Sequence, residues 1–67
     1  MASSFNIYKT LGKTQVNTQY YWTLEAENGE VIATSEMYQS KAGAQNGIAA
    51  VKRVAPGARI LDVSLYQ

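Results

Sequence analysis

Residues 19–35 read Gln-Tyr-Tyr-Trp-Thr-Leu-Glu-Ala-Glu-Asn-Gly-Glu-Val-Ile-Ala-Thr-Ser, and they decide the fold. From Gln19 to Ala26, Tyr20, Trp22, Leu24 and Ala26 alternate with Tyr21, Thr23 and Glu25. A period of two puts successive side chains on opposite faces, and aromatic and β-branched residues suit a pleated surface, so the run reads as a strand. Tyr20 and Trp22 then face the interior and Tyr21 faces outward. Asn28-Gly29 follows, two residues that tolerate positive φ, so the chain doubles back as a hairpin. Two registers are open. A two-residue Asn-Gly loop pairs Leu24 with Ala33 and Ala26 with Val31. A three-residue loop, Glu27-Asn28-Gly29 with Gly29 left-handed as a bulge, pairs Leu24 with Ile32. The second is preferred because it sets Ile32 beside Trp22 and Leu24, and a slip of one residue would reverse every side chain. The third strand then runs from Glu30 to Ser35.

Outward from the hairpin, the remaining elements follow by the same reasoning. Residues 1–4 are small and polar, a terminus expected to fray, and the domain proper is expected over residues 5–65. Phe5 to Leu11 is a strand with Phe5 and Ile7 on one face and Asn6 and Tyr8 on the other. Gly12 to Thr18 reads as an extended loop. Ser40 is a natural helix N-cap, since its hydroxyl can accept from an orphan backbone donor. The helix is predicted over Lys41 to Val54, with Ala44, Ile48, Val51 and Ala55 forming an apolar stripe at helical spacing. Lys52 and Arg53 complement the C-terminal end of its dipole, and Pro56-Gly57 stops it. Arg59 to Leu65 is a fourth strand, where Leu61, Val63 and Leu65 alternate with Ile60, Asp62 and Ser64. Apolar residues on both of its faces suit a strand covered on both sides. The class is α+β: a β-β-β-α-β unit, one helix packed on an antiparallel sheet.

A chain of 67 residues holds one small core. Such a core rarely supplies more than about 3–5 kcal/mol, and small domains usually add a staple. With no cysteine and no histidine, disulfides are excluded and a structural zinc site has no ordinary ligands. Association with a second copy is the staple left, so a homodimer is expected. The net charge of +1 gives no basic excess of the kind that phosphate contacts need, which argues against a nucleic-acid partner. No stretch is long and apolar enough to span a membrane, and the N-terminus lacks a charged region followed by an apolar one. A cytoplasmic location is the resulting expectation.

The order Asn28-Gly29-Glu30-Val31-Ile32-Ala33-Thr34-Ser35-Glu36, then Tyr38, Ser40-Lys41, Asn46-Gly47-Ile48 and Val51-Lys52, resembles the YegP-like family of small uncharacterised proteins. The likeness covers nearly the whole chain, from Phe5 to Val63. It implies a β-β-β-α-β unit that occurs as tandem repeats or as two identical subunits. In either case the halves are implied to join in a single sheet and to exchange their C-terminal strands. For a chain with one unit that means a homodimer swapping residues 59–65. The resemblance brings no substrate, cofactor or catalytic residue. This sequence departs from the family in a longer first hairpin loop and in Met37, where glycine is common.

The chemistry legible in the chain is sparse. Without His or Cys, the usual general base, metal ligand and thiol nucleophile are all missing, and no remaining Ser, Lys or Tyr is spaced as a nucleophile beside a base. The glycines are scattered, so no phosphate-cradling loop is present. No catalytic residue, metal or cofactor is expected. The candidate binding surface is Tyr21 together with Glu36, Tyr38, Ser40 and Lys41 at the strand-to-helix junction. There a helix N-terminus could favour a small anionic ligand or a nucleotide between subunits. The plainer account has Ser40 capping the helix, Tyr38 packing its ring on the sheet, and Glu36 and Lys41 solvated. Tyr8, Tyr20, Tyr21 and Trp22 could stack nucleic-acid bases, but alternation divides them between two faces. Gly43 and Gly47 share a helix face at about 1 kcal/mol each relative to Ala, which points to close approach by the sheet or a partner. The leading expectation is a non-enzymatic homodimer that meets a protein partner.

Overall fold

The computed structural model describes residues 2–11 and 18–64. Three strands, β1 (Ser4–Thr10), β2 (Gln19–Glu25) and β3 (Val31–Thr34), are followed by helix α1 (Lys41–Val54) and one 3-10 turn, Ala55–Gly57. The strands lie in the order β1-β2-β3, all antiparallel. Each strand stands within a residue or so of its predicted bounds, and α1 has the bounds that its cap and its Pro56-Gly57 stop define. The loop expected over Gly12–Thr18 lies outside the described residues except for Thr18.

The hairpin is a hybrid of the two expected registers. The turn has the three-residue form: Gly29 stands at φ 88°, its amide donates to the Ala26 carbonyl, and the Ala26 amide donates to the Glu30 carbonyl. The preferred pairing of Leu24 with Ile32 is not formed. Leu24 faces Ala33 and Glu25 faces Val31, with a register shift between them. Ile32 is the extra residue of that bulge, and it is 61% exposed instead of packing beside Trp22. A bulge on an edge strand inserts one residue without forcing the whole strand to reverse its faces. This is how Gly29 and Leu24 satisfy different registers at once.

Beyond β3 the chain stays beside β2. The Ser35 amide donates to the Trp22 carbonyl, and the Trp22 amide donates to the Ser35 hydroxyl, which donates onward to the Glu36 carbonyl. A side chain thus replaces one ladder acceptor. Two residues later Tyr38 closes a bridge to Tyr20 through hydrogen bonds of 2.9 and 2.7 Å. That bridge anchors the start of the connection to α1. Ser40, in extended conformation, caps the helix by accepting the Gly43 amide at 3.0 Å. Ser40→Ala is expected to lower stability by about 1 kcal/mol in a denaturant titration. Ser40→Asp, which keeps an acceptor there, is expected to stay near the parent. Equal losses for both would deny the cap its role.

Helix α1 packs over β2, and the core lies between them. Trp22 and Ala44 are its buried apolar residues, with Phe5 meeting Trp22 edge-on at 5.4 Å. Of the predicted stripe, Ala44 is buried and Ile48 and Val51 are half-buried. Ala55 is exposed, because it already belongs to the 3-10 turn that ends the helix. No large side chain among the described residues is fully buried. The interior is thin.

The fourth strand expected over Arg59–Leu65 is not a strand in this single chain. After Ala58 the described residues run on with no ladder to any other segment, and Leu65 lies outside the described residues. Ile60 is 97% exposed, Leu61 67% and Val63 54%. The fold is therefore a β-β-β-α unit followed by an unpaired apolar segment.

Candidate functional site

The glycines of α1 set the geometry of the helix face. A Cβ at Gly43 would meet Ser40 Oγ at 3.3 Å and the Tyr38 ring at 3.5 Å. At Gly47 it would run into the Tyr38 hydroxyl and stand 2.8 Å from Tyr38 Cζ and 3.1 Å from Trp22 Nε1. The missing side chain at 47 is thus the space into which Tyr38 lays its ring. The close approach read from the Gly43/Gly47 spacing is an approach to the chain's own sheet side. Trp22 Nε1 is buried there with no acceptor among the described residues. An unmade hydrogen bond of that kind costs about 1–3 kcal/mol, so the packing around Trp22 has to outweigh it.

Of the five residues proposed from sequence, the structure brings Tyr38 and Ser40 together against α1 and leaves the other three apart from them. Tyr38 packs under α1, and Ser40 spends its hydroxyl on the cap. Lys41 stands exposed at the first helical position, and Glu36 is exposed, with its carbonyl taken by Ser35. Met37, where the resemblance leads one to look for glycine, is 51% exposed and fills no part of the core. Tyr21 belongs elsewhere. Trp22 faces α1, so its neighbours Tyr21 and Thr23 face the opposite side of the sheet. These residues do not converge on one site.

The outer face of the sheet carries a cluster of which the sequence reading named only Tyr21 as a candidate binding residue. Cross-strand pairing sets Tyr8 opposite Tyr21, Asn6 opposite Thr23 and Ser4 opposite Glu25. The Tyr8 and Tyr21 rings stack, with centroids 5.2 Å apart and planes at 23°. The Thr23 hydroxyl donates to Glu25 Oε2 at 2.9 Å, and the Tyr8 hydroxyl donates to the same oxygen at 3.1 Å. Strand alternation contained this cluster, but it appears only once the register of β1 on β2 is known.

These hydrogen bonds hold the Glu25 carboxyl below its ordinary pKa, Thr23 contributing most, then Asn6, with Tyr8 adding less and slight burial opposing. A carboxylate with a depressed folded pKa stabilises the fold above its unfolded value and loses that contribution as pH falls through the folded one. Below the ordinary value of 4.5, the thermal midpoint of Glu25→Gln is accordingly expected to fall less steeply with acid than that of the parent. Asp62, also held low by its bonds to the Ser64 hydroxyl and amide, leaves a residual slope in both. Parallel acid limbs in the two proteins would refute the assignment to Glu25.

Comparison with known proteins was consistent across sequence and structure. The model of a domain of unknown function, DUF1508, matches residues 16–62. A UPF0339 protein from Treponema denticola is 43% identical over 63 residues, 94% of this chain and 100% of that protein. The UPF0339 protein YegP of Yersinia pestis is 54% identical over 44 residues, 66% of this chain but 39% of that protein. The chain thus spans well under half of the YegP protein and the full length of the Treponema one. The solution structure of a Haloferax volcanii protein superposes with a TM-score of 0.66 at 31% identity, over 94% of this chain and 100% of that one.

Proposed function

The chain belongs to the YegP-like (UPF0339) family, and we propose that it acts as a non-enzymatic homodimeric interaction module whose two copies share one sheet and exchange residues 59–65. The observation that carries this reading is the segment after α1. Ile60, Leu61 and Val63 are exposed by 97, 67 and 54% in a chain whose buried apolar residues, among those described, are Trp22 and Ala44. The free edge of β3 is apolar too, with Val31 53% and Ile32 61% exposed. An edge of unpaired backbone groups beside an unpaired apolar segment is the combination that strand addition resolves.

Size supports the same reading. The accessible surface is 5558 Å², where a compact monomer of 7.3 kDa would expose roughly 4,200 Å². The excess is larger than the ~800 Å² that each partner of a standard interface hides. The radius of gyration is 14.7 Å, against about 11 Å for a compact chain of this length. Relatives about 1.7 times this length, 44 residues being 39% of the Yersinia protein, have room for two such units tethered in one chain.

A small-molecule or nucleotide site near Tyr38 and Lys41 is disfavoured. The Tyr38 ring is occupied by packing on Gly43 and Gly47, and the Ser40 hydroxyl by the cap. Sedimentation equilibrium over a hundredfold range of concentration tests the proposal. A dimer mass and a thermal midpoint that rises with concentration are expected. A monomer throughout, with a constant midpoint, would overturn it. Capture of a partner with the purified dimer, repeated on a dimer carrying surface substitutions, addresses the interaction role.

A further inference from the structure

We propose that the outer face of the sheet, where Glu25 stands beside the stacked rings of Tyr8 and Tyr21, receives an arginine side chain of a protein partner. This deepens the interaction-module reading by naming the chemistry of the partner, and it rests on that reading only for the partner being a protein. The face exists within a single copy and does not depend on strand exchange.

Charge selects the occupant. Ladder pairing puts Asn6, Tyr8, Tyr21, Thr23 and Glu25 on this face, together with the uncharged side chains at the other alternate positions of β1, β2 and β3. Glu25 is the one ionised side chain among them. The described cations lie elsewhere: Lys9 opposite Tyr20 on the helix side, Lys41, Lys52 and Arg53 on α1, and Arg59 in the C-terminal segment. A chain of net charge +1 thus presents a locally negative sheet face, which attracts a cation and repels a phosphate backbone.

Shape selects arginine over lysine. Tyr8 is 41% exposed, and its ring and that of Tyr21 form a stacked aromatic platform beside the carboxylate. A guanidinium can lie flat on such a ring while donating to a carboxylate, whereas an ammonium is a strongly hydrated point charge with no plane to stack. Thr23 and Tyr8 both donate to Oε2 of Glu25 and so fix the carboxylate's orientation. A carboxylate has about four lone-pair sites, so room remains for an incoming N–H. Those same donors keep the group ionised.

The test is titration of the isotopically labelled full chain with two peptides, acetyl-Gly-Arg-Gly-Arg-Gly-amide and its lysine counterpart, followed by amide chemical shifts. The arginine peptide is expected to move Asn6, Tyr8, Tyr21, Thr23 and Glu25 at millimolar concentration, with the lysine peptide several-fold weaker. Glu25→Gln should weaken the arginine peptide by roughly tenfold, the loss of a charge-assisted pair. Tyr21→Leu should weaken it by a few-fold, and Tyr8→Phe, which keeps the ring and is the mildest change to the fold, by less. Unchanged shifts along α1 report that each variant is folded. Absence of shifts, shifts confined to other surfaces, equal response to both peptides, or movement of these residues by a single-stranded oligonucleotide would overturn the proposal. Sedimentation of the same samples reports the dimer separately, so one reading can fail while the other stands.

Discussion

Aspartate at both Leu61 and Val63 is expected to hold the protein as a monomer and to lower its thermal midpoint by about 10 °C or more. In the single chain these residues are 67 and 54% exposed, and substitutions at such positions ordinarily change stability by no more than about 0.5 kcal/mol. Strand exchange alters the reckoning. Burying each of these side chains against a second copy contributes about 1.5–3 kcal/mol, and a carboxylate in its place adds a desolvation penalty. Against a core that supplies only about 3–5 kcal/mol, the loss is comparable with the whole stability of the domain. The measurement is the midpoint by circular dichroism at several concentrations, with the mass from sedimentation. Ile60→Asp is the useful companion, since Ile60 alternates with Asp62 and Ser64 on the more polar side of the segment and should do less. If the double variant melts with the parent and has its mass, residues 61 and 63 lie in solvent and no copy covers them.

Gly47→Ala is expected to destabilise by about 1–2 kcal/mol, although Ala is the better helix former by about 1 kcal/mol. The new methyl would stand 2.8 Å from Tyr38 Cζ and 3.1 Å from Trp22 Nε1, closer than packed atoms tolerate. Tyr38 cannot simply swing clear, because its backbone is tied to Tyr20 by two hydrogen bonds and its ring already rests against Gly43. Gly43→Ala is the contrast. There the nearest atoms are 3.3 and 3.5 Å away, so the propensity gain survives and the variant should be neutral or more stable by up to about 1 kcal/mol. Denaturant unfolding of both single variants, and of Gly47→Ala combined with Tyr38→Leu, separates the causes. With the ring gone, the combined loss should be smaller than the sum of the single losses. Two alanine variants of equal stability would show that the ring does not occupy the space at position 47.

Particular residues show how far the sequence carried. Ser40, Pro56 and Gly57 bounded the helix correctly because a cap and a stop are local: each acts through backbone groups within one turn. Tyr21 was placed outward and Trp22 inward because pleating alternates side chains whatever the sheet packs against. Ile32 was misplaced because two local signals conflict. Gly29 favours the three-residue turn, Leu24 pairs with Ala33, and a bulge reconciles them at a site that no single-strand pattern marks. The Tyr8–Tyr21–Glu25 cluster was only partly legible, since its members come from two strands joined by a loop whose length does not fix their register. Glu36, Tyr38, Ser40 and Lys41 were adjacent in sequence and so looked like a site. The structure gives two of them structural tasks.

The sequence alone determined the types of the three strands and the helix, the helix bounds, the two faces of β2 and the absence of a disulfide or thiol chemistry, all properties of residue identity and of neighbours within a few positions. Tertiary structure alone decided the register of the hairpin, the ring that fills the space at Gly47, and the lack of a ladder partner for residues 59–64 among the described residues. These are outcomes of competition between segments distant in sequence, in which backbone pairing, volume and burial are settled together and no local pattern records which arrangement wins.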